Sequence, residues 1–270
     1  MIYEVFSMSK IEVLVACMNQ KDDSLYEIMN LHTDAVLANQ GSEYLYSEYA
    51  EPDGSKVRLI STADRGVGKN RNKALMNAEG EYLLFADEDL IYVDNYERLV
   101  LEAFESRPRA DIIFFNLEYL NRLIPGREPH TKFKRVHLWN SGRYGAAKMA
   151  VKKSSLEKAC LSFSTLYGGG ARYSSGEDSL FIRDAFRKRM KIYACPSVIG
   201  KVRQNKSSWF NGYTEKFFID KGILLANAFP VLKHVLIYLF AYRLKDLSEE
   251  FNFRRICTLI RRGFREFKKI

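Results

Sequence analysis

Acidic and basic residues concentrate at three places where they could do chemistry. Asp87-Glu88-Asp89 closes the stretch GEYLLFADED. Two Asp one residue apart, at the end of an apolar run, suit a hard cation such as Mg2+, which takes one or two carboxylates and the oxygens of a bound diphosphate. The same acids would also suit a solvated turn before a helix capped by Asp94 or Asn95. Upstream, Gly66 and Gly68 permit a tight turn into a helix that begins Lys69, Asn70, Arg71, Asn72. A helix N-terminus with cations nearby favours phosphate, and a solvated basic face is the alternative. Downstream, Gly176-Glu177-Asp178 follows a glycine run at Gly168 to Gly170. Acids there either serve chemistry or simply favour a helix start.

The elements that hold these clusters alternate. IEVLVAC, AVLANQ, KVRLIST, EYLLFAD, DIIFFNLEYL and KIYACP read as strands. DSLYEIMNLH, KNRNKALMNA, NYERLVLEAFES, residues 154–160 and EDSLFIRDAFRKR read as helices. Short apolar runs alternating with helical periodicity predict an α/β fold with a mainly parallel sheet. In such a sheet ligands bind beyond the carboxyl ends of the strands, where Asp87 to Asp89 fall. Residues 121–148 are polar, basic and aromatic with few regular signals, and helices return after residue 215.

Composition narrows the classes. A chain of 270 residues that is 47% hydrophobic can bury one large domain. Met1 to Lys10 has no apolar signal-peptide core, and the four cysteines show no C-x-x-C pairing, so a reducing cytoplasm is expected. The net charge is +9, but seven Lys/Arg against one Glu in Phe251 to Ile270 contribute +6 of it. Charge confined to one terminus, without a recognised motif, argues against a nucleic-acid partner.

Taken together, DRG, NRN, GEYLLF and DED resemble, in order and spacing, the core of the family 2 glycosyltransferases with the GT-A fold. That resemblance implies a Rossmann-like, mainly parallel central sheet flanked by helices over residues 1–215. Nucleotide binding would fall in about 1–120 and the acceptor and catalytic part in about 121–215. A helical, amphipathic C-terminal extension would occupy 216–270. The resemblance further implies a bacterial type of enzyme that builds cell-surface polysaccharide from a nucleotide-diphosphate sugar, most simply a UDP-sugar, with inversion and with Mg2+ or Mn2+. Asp87 and Asp89 would then hold the metal, with Glu88 turned from the ion towards the nucleotide. Asp178 matches the family's general base, with Glu177 beside it. Cys17, Met18 and Asn19 end the first strand, at the nucleotide base. Asn39-Gln40 stands where many members carry Asp-Asp. Asp64, Gly66 and Arg71 complete the nucleotide contacts. Arg203 and a loop with Lys206, Ser207, Ser208 and Trp209 would close over the diphosphate. Gly168 to Gly170 would shape the acceptor pocket.

Two other classes stay open at this point. A nucleotidyltransferase would share the core but should carry a glycine-rich loop after the first strand, and ACMNQKDDS has no glycine. An inactive GT-A binding module would keep the fold without turnover. In the last twenty residues Phe253, Ile256, Leu259, Ile260, Phe264 and Phe267 recur at helical spacing among arginines. Such a basic helix suits the inner face of a cell membrane, where a lipid-linked glycan acceptor would lie. Packing on the body is the alternative.

Overall fold

In the computed structural model, which describes residues 10–120, 129–203, 212–246 and 250–268, each apolar run read as a strand from its sequence pattern forms one. The first half contains β1 (Ile11–Met18), α1 (Leu25–Ile28), β2 (Asp34–Gln40), β3 (Leu45–Ala50), β4 (Lys56–Thr62), α2 (Val67–Met76), β5 (Tyr82–Asp87), β6 (Leu90–Tyr92) and α3 (Tyr96–Ser106). The second half adds β7 (Ile112–Tyr119), β8 (Lys134–Arg135), β9 (Met149–Lys152), α4 (Lys153–Ala159), α5 (Glu177–Arg187) and β10 (Ile192–Val202). Three helices follow: α6 (Glu215–Ala228), α7 (Lys233–Leu244) and α8 (Phe253–Phe267).

The strands form one sheet in the order β3-β4-β2-β1-β5-β9-β7-β10-β6, with β8 beside β10. The block β4-β2-β1-β5 is parallel throughout. Helices cover such strands on both faces, which is why β1, β2 and β5 read as continuous apolar runs. Beyond β5 the sheet becomes mixed: β9 runs antiparallel between β5 and β7, and β7 pairs in parallel with β10. The chain builds outward from β1 to β2 and β4, then returns to place β5 on the other side of β1. That reversal is a topological switch point, the usual place for a ligand crevice.

The amino-terminal end of this block is pinned by charge. Glu12 on β1 is fully buried and pairs with Arg58 on β4 across the intervening β2. Glu12 Oε2 also accepts the backbone N–H groups of Glu79 and Gly80, at 2.6 and 2.9 Å. Arg58 reaches Glu79 as well, at 2.7 Å.

The C-terminal helices are not a loose appendage. Ile223, Leu224 and Ala228 of α6 share a buried cluster with Tyr167, Tyr173 and Leu180. Asp220 Oδ2 accepts the Ser174 N–H at 2.9 Å, and Lys221 Nζ donates to Ser175 Oγ at 2.9 Å. Thus α6 fastens the loop that leads into α5. The apolar stripe expected on the basic terminal helix is real, but Ile256, Leu259, Ile260 and Phe264 are buried against the rest of the bundle. α8 therefore turns its arginines outward and keeps its apolar stripe for packing. Among the described residues no helix is long and apolar enough to cross a membrane.

Candidate active site

Three elements meet at the switch point, each carrying one of the clusters. Asp87 ends β5 level with Ala16 of β1, and Asp87 to Asp89 make the turn into β6. Just before α2, Gly66 adopts left-handed backbone (φ +119°), a conformation glycine takes without strain. Its N–H donates to Gln40 Oε1 at 2.8 Å. Glu177 and Asp178 open α5 immediately after Gly176.

Arg71 joins all three. Its side chain is only 5% exposed. One guanidinium nitrogen donates to Glu177 Oε1 at 3.1 Å and Asp178 Oδ1 at 2.8 Å, and the other to Asp87 Oδ1 at 2.9 Å. The guanidinium lies 5.4 Å above the Phe163 ring. Phe163 in turn packs on Phe85 of β5 (5.2 Å) and Phe181 of α5 (4.3 Å), so one aromatic cluster sets the spacing of the charged groups.

Asp178 sits where its proton affinity is tuned. Burial, with Glu177 and Asp87 close by, raises its carboxyl well above the ordinary range, against the pull of Arg71 and of the Ala146 N–H. That N–H donates to Asp178 Oδ2 at 3.1 Å. A quarter of the side chain remains exposed, enough to meet a hydroxyl. The glycine run supports the pair from below. Gly168 has φ +108°, and a Cβ there would come within 2.6 Å of Val67 Cγ1 and 2.8 Å of Glu177 Oε2. Between residues 129 and 148, Tyr144 stacks on Phe114 at 4.4 Å, and the segment after it brings Ala146 to Asp178.

The acidic turn divides its labour. Glu88 Oε2 accepts Met18 N–H and the Gln20 side-chain amide, both at 3.1 Å, so Glu88 faces the end of β1. Asp89 is half-buried, and its carboxyl is pushed up to about 6 by burial and by the charges of Asp87 and Glu88. A cation at this turn would relieve that repulsion. No third His, Cys, Asp or Glu among the described residues completes a metal cluster with this pair. Two carboxylates alone would leave most of an ion's ligands to diphosphate oxygens and water.

Several residues expected at the nucleotide have their side chains committed to the protein. Asn39 is buried: its Oδ1 accepts Gln20 N–H at 3.0 Å, and its Nδ2 donates to Gln20 O at 2.9 Å and Ser61 Oγ at 3.0 Å. Gln40 is likewise held by Gly66, and Cys17 points inward with its thiol on Ala38 O at 3.3 Å. Met18 is part-exposed, Asn19 is exposed with φ +56°, and Asp64 pairs with Lys69 at 3.6 Å. Lys206, Ser207, Ser208 and Trp209 lie outside the described residues. Arg203 is described, and its N–H donates to Asp89 O at 3.1 Å.

Sequence reasoning did not assign Asn70, Phe163, Gln20 or Lys221. Asn70 is a buried amide that donates to Cys17 O at 3.2 Å and Ala38 O at 2.6 Å, locking α2 onto β1 and β2. Lys221 comes from a distant helix, and nothing local marks it.

At the switch point the acidic turn after β5 and the carboxylates that open α5 are joined through Arg71, on a mixed sheet of the GT-A type. The profile of Glycosyl transferase family 2 matches residues 13–164, more than half of the chain. The chain belongs to that family. Among solved structures it resembles S. aureus TarS residues 1–349 in complex with UDP-GlcNAc, with 16% identity and a TM-score of 0.62, over 88% of this chain and 73% of that one. The same region in complex with UDP gives a TM-score of 0.58. Against the longer S. aureus TarS structure the TM-score is 0.61, and this chain spans 44% of its length. At this identity the likeness speaks for the fold. No curated protein matches the sequence.

Proposed function

We propose that this chain is an inverting, metal-dependent glycosyltransferase that moves a sugar from a UDP-sugar to a hydroxyl of a lipid-linked glycan during surface polysaccharide synthesis. Family membership supports the transfer chemistry. The UDP part is supported by TarS, whose structures hold UDP-GlcNAc and UDP. The observation that carries the reading is the single arginine bridging Asp87 to Glu177 and Asp178 across the switch-point crevice.

In this reading Asp178 accepts the proton of the acceptor hydroxyl. The freed oxygen attacks the anomeric carbon from the face opposite the diphosphate, and the bond to the diphosphate oxygen breaks with its electron pair leaving on UDP. Its raised proton affinity makes Asp178 a stronger base than an ordinary carboxylate, with Arg71 pulling against that rise. Glu177 holds Arg71 in place, and the Ala146 N–H orients the second Asp178 oxygen. Asp87 and Asp89 would hold Mg2+ or Mn2+, which supplies positive charge against the diphosphate. Met18, Asn19 and Asp64 line the rim towards the base and ribose, while Asn39, Gln40 and Cys17 shape it from behind. Residues 1–120 form the donor half and 121–215 the acceptor half, with α6 of the extension completing the latter.

Replacing Asp178 by Asn removes the base but keeps the shape. Transfer, followed by UDP release with acceptor present, should fall by roughly 10²-fold or more, while donor affinity by calorimetry stays within about threefold. Unchanged turnover would end the assignment.

A further inference from the structure

Beside the packed stripe of α8, α7 leaves an apolar face bare. The helix is held to the bundle through Ile237 and Ala241, which are buried. Its other side, with the turn before it, carries Val231, Leu232, Val235, Tyr238, Leu239 and Tyr242. Spacings of three and four residues put these on one ridge roughly 15 Å long. All six are exposed, Val231 by 85%, Tyr242 by 65% and Val235 by 61%. A contiguous apolar patch of this kind marks a contact with something apolar.

The rim of the ridge identifies what that is. Residues 229–245 contain Lys233, His234, Arg243 and Lys245 and no acidic residue. From α8, Arg261 donates to the Tyr238 hydroxyl at 2.9 Å. Asp246, 3.9 Å from Lys245, is the first acid that follows, with Glu249 and Glu250 after it in the sequence. A second copy docking by two-fold symmetry would set this cationic rim against itself, which like charges oppose. An anionic bilayer offers the complement: acyl chains for the ridge, phosphates for the cations, and an interface where tyrosine is favoured.

We propose that α7 lies in the headgroup region of an anionic membrane with its apolar ridge inserted, and that this face, rather than the stripe of α8, brings the chain to the bilayer. The inference deepens the reading of a lipid-linked acceptor and rests on it for its purpose. Binding itself requires neither donor nor acceptor.

Flotation of the full chain with phosphatidylcholine vesicles, with and without phosphatidylglycerol, tests it. The chain should float with the anionic vesicles and stay down with the neutral ones. Val235→Glu combined with Leu239→Glu should weaken partitioning roughly tenfold or more, because it puts charge on the inserted face. Arg243→Ala should cost about fivefold, the effect of one cation at an anionic surface. All three positions are exposed, so an unchanged melting curve certifies that the variants fold. Asp178→Asn should float like the unaltered chain although its transfer is lost, which separates failure of docking from failure of the catalytic reading. Equal flotation with both vesicle types, or full binding by the double variant, overturns the proposal. So does a concentration-dependent dimer that the double variant abolishes, since the ridge then belongs to a second copy.

Discussion

Arg71 faces Asp87, Glu177 and Asp178 at once, so the centre carries more negative than positive charge, and Asp89 beside it shares the consequence. With its carboxyl raised from the usual 3.8 to about 6, the folded chain holds a proton between those values that the unfolded chain releases. Unfolding therefore becomes easier as pH climbs through that window, and at pH 7 the ionised group is a burden on the fold. Asp89→Asn should raise the melting temperature at pH 7 in metal-free buffer, with the gain vanishing below pH 4. The same change should weaken Mn2+-dependent donor binding in calorimetry. A lower melting temperature would show that the charge is already well compensated. Residue types made this cluster legible, but direction was not. Asn39 and Gln40 stand where the family resemblance implies nucleotide contacts, and the side chains of both are held by backbone groups of neighbouring loops. Sequence states that an amide must be satisfied, not by whom.

Among elements, β1, β2, β4, β5 and β7 were legible because strands covered on both faces must be apolar along their length. β9 was not. It has four residues, two of its neighbours are distant strands, and it follows a stretch with no period. β3 was missed for the opposite reason: as an edge strand paired only to β4, it exposes much of its surface and carries no buried alternation. The Glu12–Arg58 pair is a second element-scale device, since it ties β1 to β4 and fixes the Glu79-Gly80 turn that sets the start of β5. Glu12→Ala would strand Arg58 in the sheet with Glu79 as its remaining partner. Loss of one member of a buried pair costs about 3 kcal/mol, to be read as a lower urea midpoint. A shift under about 1 kcal/mol would mean that Glu79 alone suffices.

At the scale of the molecule, the boundary drawn near residue 215 divides chain regions that act together. α6 accepts the Ser174 N–H through Asp220, donates to Ser175 through Lys221, and packs Leu224 against Gly176, next to Glu177 and Asp178. Asp220→Ala should loosen that loop: hydrogen exchange over 172–178 should speed up, and transfer should fall by about tenfold as the base loses its placement. Normal exchange in that segment would show that apolar packing holds it unaided. Placement of this kind is invisible in sequence because Ser174 and Asp220 sit 46 positions apart with no shared pattern. It also orders events at the ribosome. Domains generally fold from the N-terminus as they are made, so the donor crevice can form while α6 is still inside the exit tunnel. Ser174 and Ser175 gain their partners on α6 only once that helix emerges, so in the proposed reading the donor side of the site would be complete before the base is seated.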